Sequence, residues 1–274
     1  SCALDHLGAT YMRELEPGEV VIIDSDGFHS SVWSGATGRR SLCVFELIYF
    51  ARPDSLMDNQ LVHSVRQELG AQLAREHPVE ADLVIGIPDS STAAAVGYAR
   101  ESGIPFSEGL VKNRYVGRTF IEPEQRMRDL GVRQKFNPLT EVIAGQRIVV
   151  VDDSIVRGTT TPHVVGLLRK AGAKEIHMRV CAPPIMHPCF MGVDMASRQE
   201  LIAANQTVEE IRQFIDADSL GYLAVKGLLK VVGGSDGGFC DACFTGNYPV
   251  PVQLELTKLV LEEPSKAELE ILSD

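Results

Sequence analysis

Residues 149–161 read VVVDDSIVRGTTT, an apolar run that ends in two adjacent aspartates and passes at once into Gly-Thr-Thr. An unbroken valine run of this kind is a strand buried on both faces, and such strands belong to parallel sheets covered by helices. In open parallel sheets, ligands bind beyond the carboxyl ends of the strands, where loops lead into helices. Asp152 and Asp153 stand at that point. The loop after them is able to wrap an anion. Ser154, Thr159 and Thr160 offer hydroxyls, and Gly158 lets the backbone approach closely. The helix that follows supplies free N–H groups and the positive end of its dipole. Carboxylates repel phosphate, so the acid pair serves another part of the ligand, and ribose hydroxyls and Mg2+ are its natural partners. The stretch therefore describes a site for a sugar phosphate. A plainer reading, in which Asp153 or Ser154 only caps the next helix, explains one acid and one hydroxyl but not the full ordered set. The rival phosphate loops, G-x-x-x-x-G-K-S/T and a G-x-G-x-x-G after a strand, are absent.

The same strand–helix alternation extends to both sides. Residues 18–24, GEVVIID, and 43–50, CVFELIYF, read as strands, and SSVWSGATGRRS between them reads as a loop. Residues 61–77 place Leu61, Val62, Val65, Leu69 and Leu73 at helical spacing. DLVIGI is a short buried strand ending in PDSS, and TAAAVGYARES is a small-residue helix. After RIVVV, a strand, come the helix TPHVVGLLRKAG and the strand EIHMRVCAP. The fold class is α/β, a mainly parallel sheet flanked by helices. TVEEIRQFIDA opens with a Thr207/Glu210 capping box, and YLAVKGLLKVV reads as a further helix. Gly233, Gly234, Gly237 and Gly238 mark a break before FCDACF, and the acidic end, 254–274, reads as peripheral.

The 274 residues, 45% hydrophobic and 23% charged, suit one large domain or one domain with appendages. A formal charge of -11 argues against nucleic-acid or acidic-membrane partners. No apolar run approaches the ~20 residues of a membrane span, and no basic-then-apolar leader opens the chain, so a cytoplasmic protein is expected. One segment runs against the acidic average. Lys112, Arg114, Arg118, Arg126, Arg128, Arg133 and Lys135 oppose only Glu122, Glu124 and Asp129. Charge alone leaves it equally a solvated loop or an anion site, but a loop this long in a compact domain is usually functional. The cysteines are Cys2, Cys43, Cys181, Cys189, Cys240 and Cys243. Alone, the C-x-x-C of CDAC fits zinc, iron–sulfur, redox chemistry or two free thiols.

VVVDDSIVRGTTT resembles the phosphoribosylpyrophosphate (PRPP) signature of type I phosphoribosyltransferases, in the form found in the glutamine PRPP amidotransferase family. YFARPDS at 49–55, KNRYVGRTFIEP at 112–123 and PPIMHPCFMG at 183–192 resemble the same family. The resemblance runs from residue 1 to about residue 250. It implies a type I phosphoribosyltransferase fold with a C-terminal cysteine-bearing extension. The implied reaction forms 5-phosphoribosylamine and pyrophosphate from PRPP and ammonia, the first committed step of purine synthesis. The implied substrate contacts are Asp89, Ser90, Ser91, Asp152, Asp153, Ser154, Arg157, Gly158, Thr159 and Thr160, with Ser90, Asp152 and Asp153 at the Mg2+ positions. Lys112, Arg114, Tyr115 and Arg118 match the lid that closes over PRPP, neutralising the leaving group and excluding water. Some family members carry a 4Fe–4S cluster, and Cys43, Cys189, Cys240 and Cys243 match its four ligands. Cys2 and Cys181 fall outside that pattern.

The complete family enzyme also carries a glutaminase domain that draws ammonia from glutamine. SCALDHLGA resembles the far end of that domain, and about 40 residues are too few to build it. The expected organisation is a glutaminase remnant over 1–40, a phosphoribosyltransferase domain over 41–232 and an extension carrying the C-x-x-C over 233–274. The resemblance further implies feedback inhibition by purine nucleotides and a homo-oligomer. A nucleobase phosphoribosyltransferase, or a PRPP-binding fragment or regulator without catalysis, stands as the alternative.

Overall fold

A computed structural model of the chain describes residues 2–35, 38, 40–113, 135–193, 197–233 and 238–252. Its centre is a four-stranded sheet in the order β11-β10-β9-β6, formed by Ser219–Tyr222, Glu175–Val180, Arg147–Asp152 and Leu83–Gly86. All of its pairings are parallel. The buried valine run is thus the interior strand it reads as in sequence. Val84, Val149 and Val151 pack on one face with Val65, Leu69 and Tyr98 from the helices Val62–Glu76 and Thr92–Ser102. Ile85, Ile148, Val150, Ile176 and Met178 pack on the other with Val164, Val165 and Leu168 from the helix Thr161–Lys170. The first two helices touch almost backbone to backbone, since a Cβ on Gly70 would lie 1.8 Å from the Ala94 carbonyl oxygen, and one on Gly97 1.8 Å from that of Gln67.

Two carboxylates set the lower edge of the sheet. Asp82 accepts from the Arg147 backbone N–H at 2.9 Å and from its guanidinium at 2.8 Å, which pins the start of β9 beside β6. Asp218 does the same for β10, accepting from Ile176 N–H and the Arg169 guanidinium, each at 2.6 Å. The Thr207/Glu210 capping box is formed and opens the helix Val208–Phe214.

Three segments depart from the sequence reading. β1 (Glu19–Asp24) and β2 (Gly27–Val32) form an antiparallel hairpin, so Ser30, Ser31 and Val32 are strand where a loop is expected. Asp24 accepts from Asp26 N–H at 2.9 Å and closes the turn. In CVFELIYF only Cys43 is strand, the end of β3 (Ser41–Cys43), and the residues after it are helical. Val44, Phe45, Leu47 and Ile48 go to the core while Tyr49 and Phe50 stay exposed, a helical distribution that an all-apolar string conceals. Buried Arg66 fixes this turn by donating to the carbonyls of Leu47 at 3.1 Å and Ala51 at 2.8 Å. In the last case, the helix expected over YLAVKGLLKVV starts only at Val225. Tyr222 instead ends β11, drawn into the sheet by its pairing with β10, and Leu223 and Ala224 connect strand to helix.

Two smaller pairings bear on function. β7 (Leu110–Lys112) and β8 (Phe136–Pro138) are antiparallel and form the stem of the basic segment. Arg114, Tyr115 and Arg118 lie outside the described residues. β12 (Gly238–Cys240) runs parallel to β3 and places Cys240 opposite Cys43. A two-residue-strand hairpin, β4 (Leu56–Met57) with β5 (Gln60–Leu61), leads into the helix Val62–Glu76. Among the described residues no helix is long and apolar enough to cross a membrane.

Candidate active site

β9 and β6 deliver their carboxyl ends side by side, and the pairing continues through Ile87 N–H to the Val151 carbonyl at 2.9 Å. The loop after β6 therefore lies beside the loop after β9. Asp152 Oδ1 accepts from Asp153 N–H at 2.9 Å and from Ser91 Oγ at 3.3 Å, so the second loop touches the first acid. Asp153 is 9% exposed and accepts from Ser154 Oγ at 2.6 Å. Burial pushes the Asp152 carboxyl up and the charge of Asp153 adds to the rise, against the hydrogen bonds from Asp153 N–H and Ser91 and the charge of Lys135. Burial also pushes Asp153 up, opposed by hydrogen bonds from Ser154 and Ser90 and by the Arg66 charge. Two carboxylates so confined favour a cation or hydroxyl donors beside them.

The helix-capping reading of this loop fails. The helix begins at Thr161 with Thr160 as its N-cap, no side chain caps it, and neither Asp153 nor Ser154 reaches that position. Thr159 and Thr160, just before the first turn of the helix, are exposed. Gly158 takes φ +72°, and a Cβ there would stand 2.6 Å from Ile202 Cδ1, so the loop needs glycine for both conformation and room. Arg157 turns the other way and pairs with Glu200 at 3.3 Å.

Positive charge arrives from the stem. Lys112 Nζ lies 3.0 Å from Asp89 Oδ2, which joins the lid stem to the turn after β6. The peptide bond between Pro88 and Asp89 is cis. Lys135, on the other foot of the stem, is pulled below its ordinary pKa by burial and by Lys112, while Asp152 and Asp153 act against that fall. Among the described residues, Lys135 thus acts on Asp152 and Arg66 on Asp153 through their charge. Sequence gave Lys135 only as part of a basic segment and gave no sign of Arg66, which sits inside a regular helical stripe.

The patterned cysteines converge at the β3–β12 pairing. Cys243 lies one turn past Cys240, and its carbonyl accepts from Met186 N–H at 2.9 Å and His187 N–H at 3.0 Å, bringing the HPCF segment alongside. There Cys189 Sγ accepts from Met191 N–H at 3.3 Å, and Tyr248 Oη donates to the Pro188 carbonyl at 2.7 Å. Burial raises the Cys43 thiol, and Cys240 and Cys189 add to the rise. Cys243 is raised by burial and then by Cys43, Cys240 and Cys189. All four thiols are therefore electrostatic neighbours, although no group of described His, Cys, Asp and Glu residues is closed up tightly enough to hold a single metal ion. Cys181 is fully buried, and Cys2 accepts from Ser55 Oγ at 3.1 Å, so neither joins the group.

Residues 54–185 match the phosphoribosyl transferase domain family. The amidophosphoribosyltransferase of Synechocystis sp. is 53% identical over 96% of this chain and 53% of its own length. That of Bacillus subtilis is 54% identical over 92% of this chain and 54% of its own length. The chain thus spans about half the length of the curated relatives it matches. A solved structure described as the allosteric regulatory enzyme of purine biosynthesis superposes with TM-score 0.87 at 52% identity, over 96% of this chain and 57% of that one. The B. subtilis glutamine PRPP amidotransferase complexed with ADP and GMP gives TM-score 0.85 at 52% identity, over 93% and 57% of the two chains. With its parallel sheet, its paired acids after β9 and this similarity along nearly its whole length, the chain has the type I phosphoribosyltransferase fold in the form that the amidophosphoribosyltransferases share.

Proposed function

We propose that the chain transfers the phosphoribosyl group of PRPP to ammonia, forming 5-phosphoribosylamine and pyrophosphate. The observation that carries this reading is the joining of three loops at one strand end: the acid pair after β9, Ser91 on Asp152, and Lys112 on Asp89. Asp152 and Asp153 take the ribose hydroxyls, and the N–H groups before Thr161 with the Thr159 and Thr160 hydroxyls take the 5-phosphate. Asp89, Ser90 and Ser91 hold the pyrophosphate end. In the reaction the bond from the ribose carbon to pyrophosphate breaks, a bond to the ammonia nitrogen forms, and that nitrogen sheds a proton to solvent. No side chain attacks covalently, so positioning and charge supply the rate. Lys112 sits where it offsets the growing charge on the leaving group, with Arg114, Tyr115 and Arg118 of the lid as its expected partners. Mg2+ at Ser90, Asp152 and Asp153 would supply further neutralisation of the pyrophosphate, and the confined carboxylates suit it.

The four neighbouring thiols suit a 4Fe–4S cluster better than a lone zinc, because a cubane spreads its ligands wider than one ion does. Such a cluster would supply a cross-link between β3, the HPCF segment and the C-x-x-C. Similarity to amidophosphoribosyltransferases over 96% of the chain favours the amine over a nucleobase as acceptor. We read residues 1–40 as the end of a glutaminase domain, and the exposed Ile22, Ile23 and Trp33 support this, since they suit a face made for packing. Purine nucleotide control is proposed on the relative that holds ADP and GMP. A homo-oligomer and a cytoplasmic location complete the reading.

The test is anaerobic pyrophosphate release from PRPP and Mg2+ with ammonium, glutamine or neither. Ammonium-dependent release is expected. Failure with ammonium, with a nucleobase supporting release instead, overturns the amine assignment.

A further inference from the structure

Tyr222 Oη is the one buried side-chain polar atom among the described residues that has no hydrogen-bond partner. The residue is 7% exposed, so solvent does not serve the hydroxyl either. Buried hydroxyls without partners are rare, because their desolvation goes uncompensated. The position of this one is informative. Tyr222 ends β11, paired with Val180 of β10, and Val180 is paired with Asp152 of β9. Residues in register across a parallel sheet turn their side chains to the same face. Asp152, Val180 and Tyr222 therefore share one face, the one that carries Ile148, Val150, Ile176 and Met178. Two strand spacings, about 10 Å, separate the end members, and a tyrosine side chain is long enough to span much of that. The charge of Asp152 acts on the phenol, raising its pKa on top of the rise that burial imposes.

Asp152 is served from the opposite side. The donors that the described residues offer it, Asp153 N–H and Ser91 Oγ, both fall on Oδ1. A group lying between Tyr222 Oη and Asp152 Oδ2 would have to accept from a phenol and donate to a carboxylate. A phosphate oxygen only accepts, and the carboxylate repels it. A metal ion accepts no hydrogen bond. Water and a hydroxyl each do both, and of the two the hydroxyl is the one that a ribose substrate brings.

We propose that Tyr222 is a further substrate-contacting residue of the site, its hydroxyl donating to a ribose hydroxyl that in turn donates to Asp152 Oδ2. This rests on the PRPP reading given above and extends it to a strand that none of the motif loops contains. Tyr222 is then a specificity residue, since it rewards a sugar that keeps the hydroxyl.

The experiment is Tyr222→Phe in the intact protein, which keeps the ring and its packing and deletes only the oxygen. Melting temperature without ligand, and kcat and KM for PRPP with ammonium, are compared with wild type. PRPP analogues lacking the 2-hydroxyl or the 3-hydroxyl are then run on both proteins. The ligand-free variant is expected to melt at or above the wild-type temperature, because an unpartnered hydroxyl is gone. Its KM for PRPP should rise roughly 3- to 10-fold with little change in kcat, the scale of one hydrogen bond. With one of the two deoxy analogues, variant and wild type should bind alike. A variant with wild-type KM overturns the proposal, and so does a KM penalty of equal size on PRPP and both analogues. Wild type that neither binds nor turns over PRPP would instead bring down the phosphoribosyl reading itself, and this inference with it.

Discussion

Gly158→Ala tests whether the loop after the acids is held in the shape that the anion site requires. A non-glycine residue at φ +72° costs about 1–2 kcal/mol. The added methyl also meets Ile202 Cδ1 at 2.6 Å, with Phe214 behind at 3.4 Å, and overpacking of that kind costs about 1–3 kcal/mol. Stiffening the unfolded chain returns about 0.4–1 kcal/mol. The net is a loss of roughly 1–5 kcal/mol, or a fall in melting temperature of roughly 2–18 °C. If the loop shifts to escape the clash, the loss moves from stability to binding, and KM for PRPP rises instead. The two contributions separate in the Ile202→Val background, which lacks the offending Cδ1 and itself costs about 0.5–1.5 kcal/mol. There Gly158→Ala should cost only the backbone share less the same unfolded-chain return, about 0–1.6 kcal/mol. The assay is thermal unfolding with and without Mg2+ and PRPP, alongside ammonium-dependent kinetics. Unchanged melting and unchanged KM would refute the argument. Equal costs in both backgrounds would remove Ile202 from it.

Asp152→Asn combined with Asp153→Asn should cut ammonium-dependent turnover by at least roughly a thousandfold while the ligand-free protein melts no lower than wild type, since two buried charges are gone; retained turnover would strip the pair of its role. Cys240→Ser should lower bound iron and expose residues 238–252 to protease, and an unchanged iron content would remove Cys240 from the ligand set. Asp82 is held at about 2, chiefly by hydrogen bonds from the Arg147 side chain and backbone, so its folded value lies below its unfolded one near 4. Its contribution is therefore complete above the unfolded value and is lost as pH falls towards 2. Asp82→Asn should lower the melting temperature at pH 7, with the gap to wild type narrowing steadily below pH 4. A gap independent of pH would show that the Asp82 charge is irrelevant.

The core sheet was legible in sequence because its strands are pure apolar runs that end in loop residues, and a parallel interior strand requires that composition. The acid pair was legible for a related reason: charge at the end of such a run has no structural use except at the carboxyl edge of the sheet. CVFELIYF was misread by the same rule, since an all-apolar string has no period, and the residue that makes it a helical turn, Arg66, comes from another helix. β11 was missed because SLGY is short and contains a glycine. Its strand character comes from β10 beside it, a long-range cause that leaves no local mark. Arg157 shows the limit in the site itself: it stands inside the motif, but its charge goes to Glu200, which the motif does not contain.

Arg66 also explains why the cysteines and the acids belong to one unit. Cys43 ends β3, and the helical turn that follows it closes on Arg66 through the carbonyls of Leu47 and Ala51. The same guanidinium is the cation that draws the Asp153 carboxyl down. Arg66 makes no ion pair at contact distance among the described residues, so its charge acts on the pair after β9 while Nε and Nη2 donate to backbone carbonyls. β12 closes the other side by pairing Cys240 with Cys43. β3 and the turn that follows it are thus tied through the Arg66 side chain to a charge that the Asp153 carboxyl feels, and the helix Val62–Glu76 that carries Arg66 is held by its own core packing.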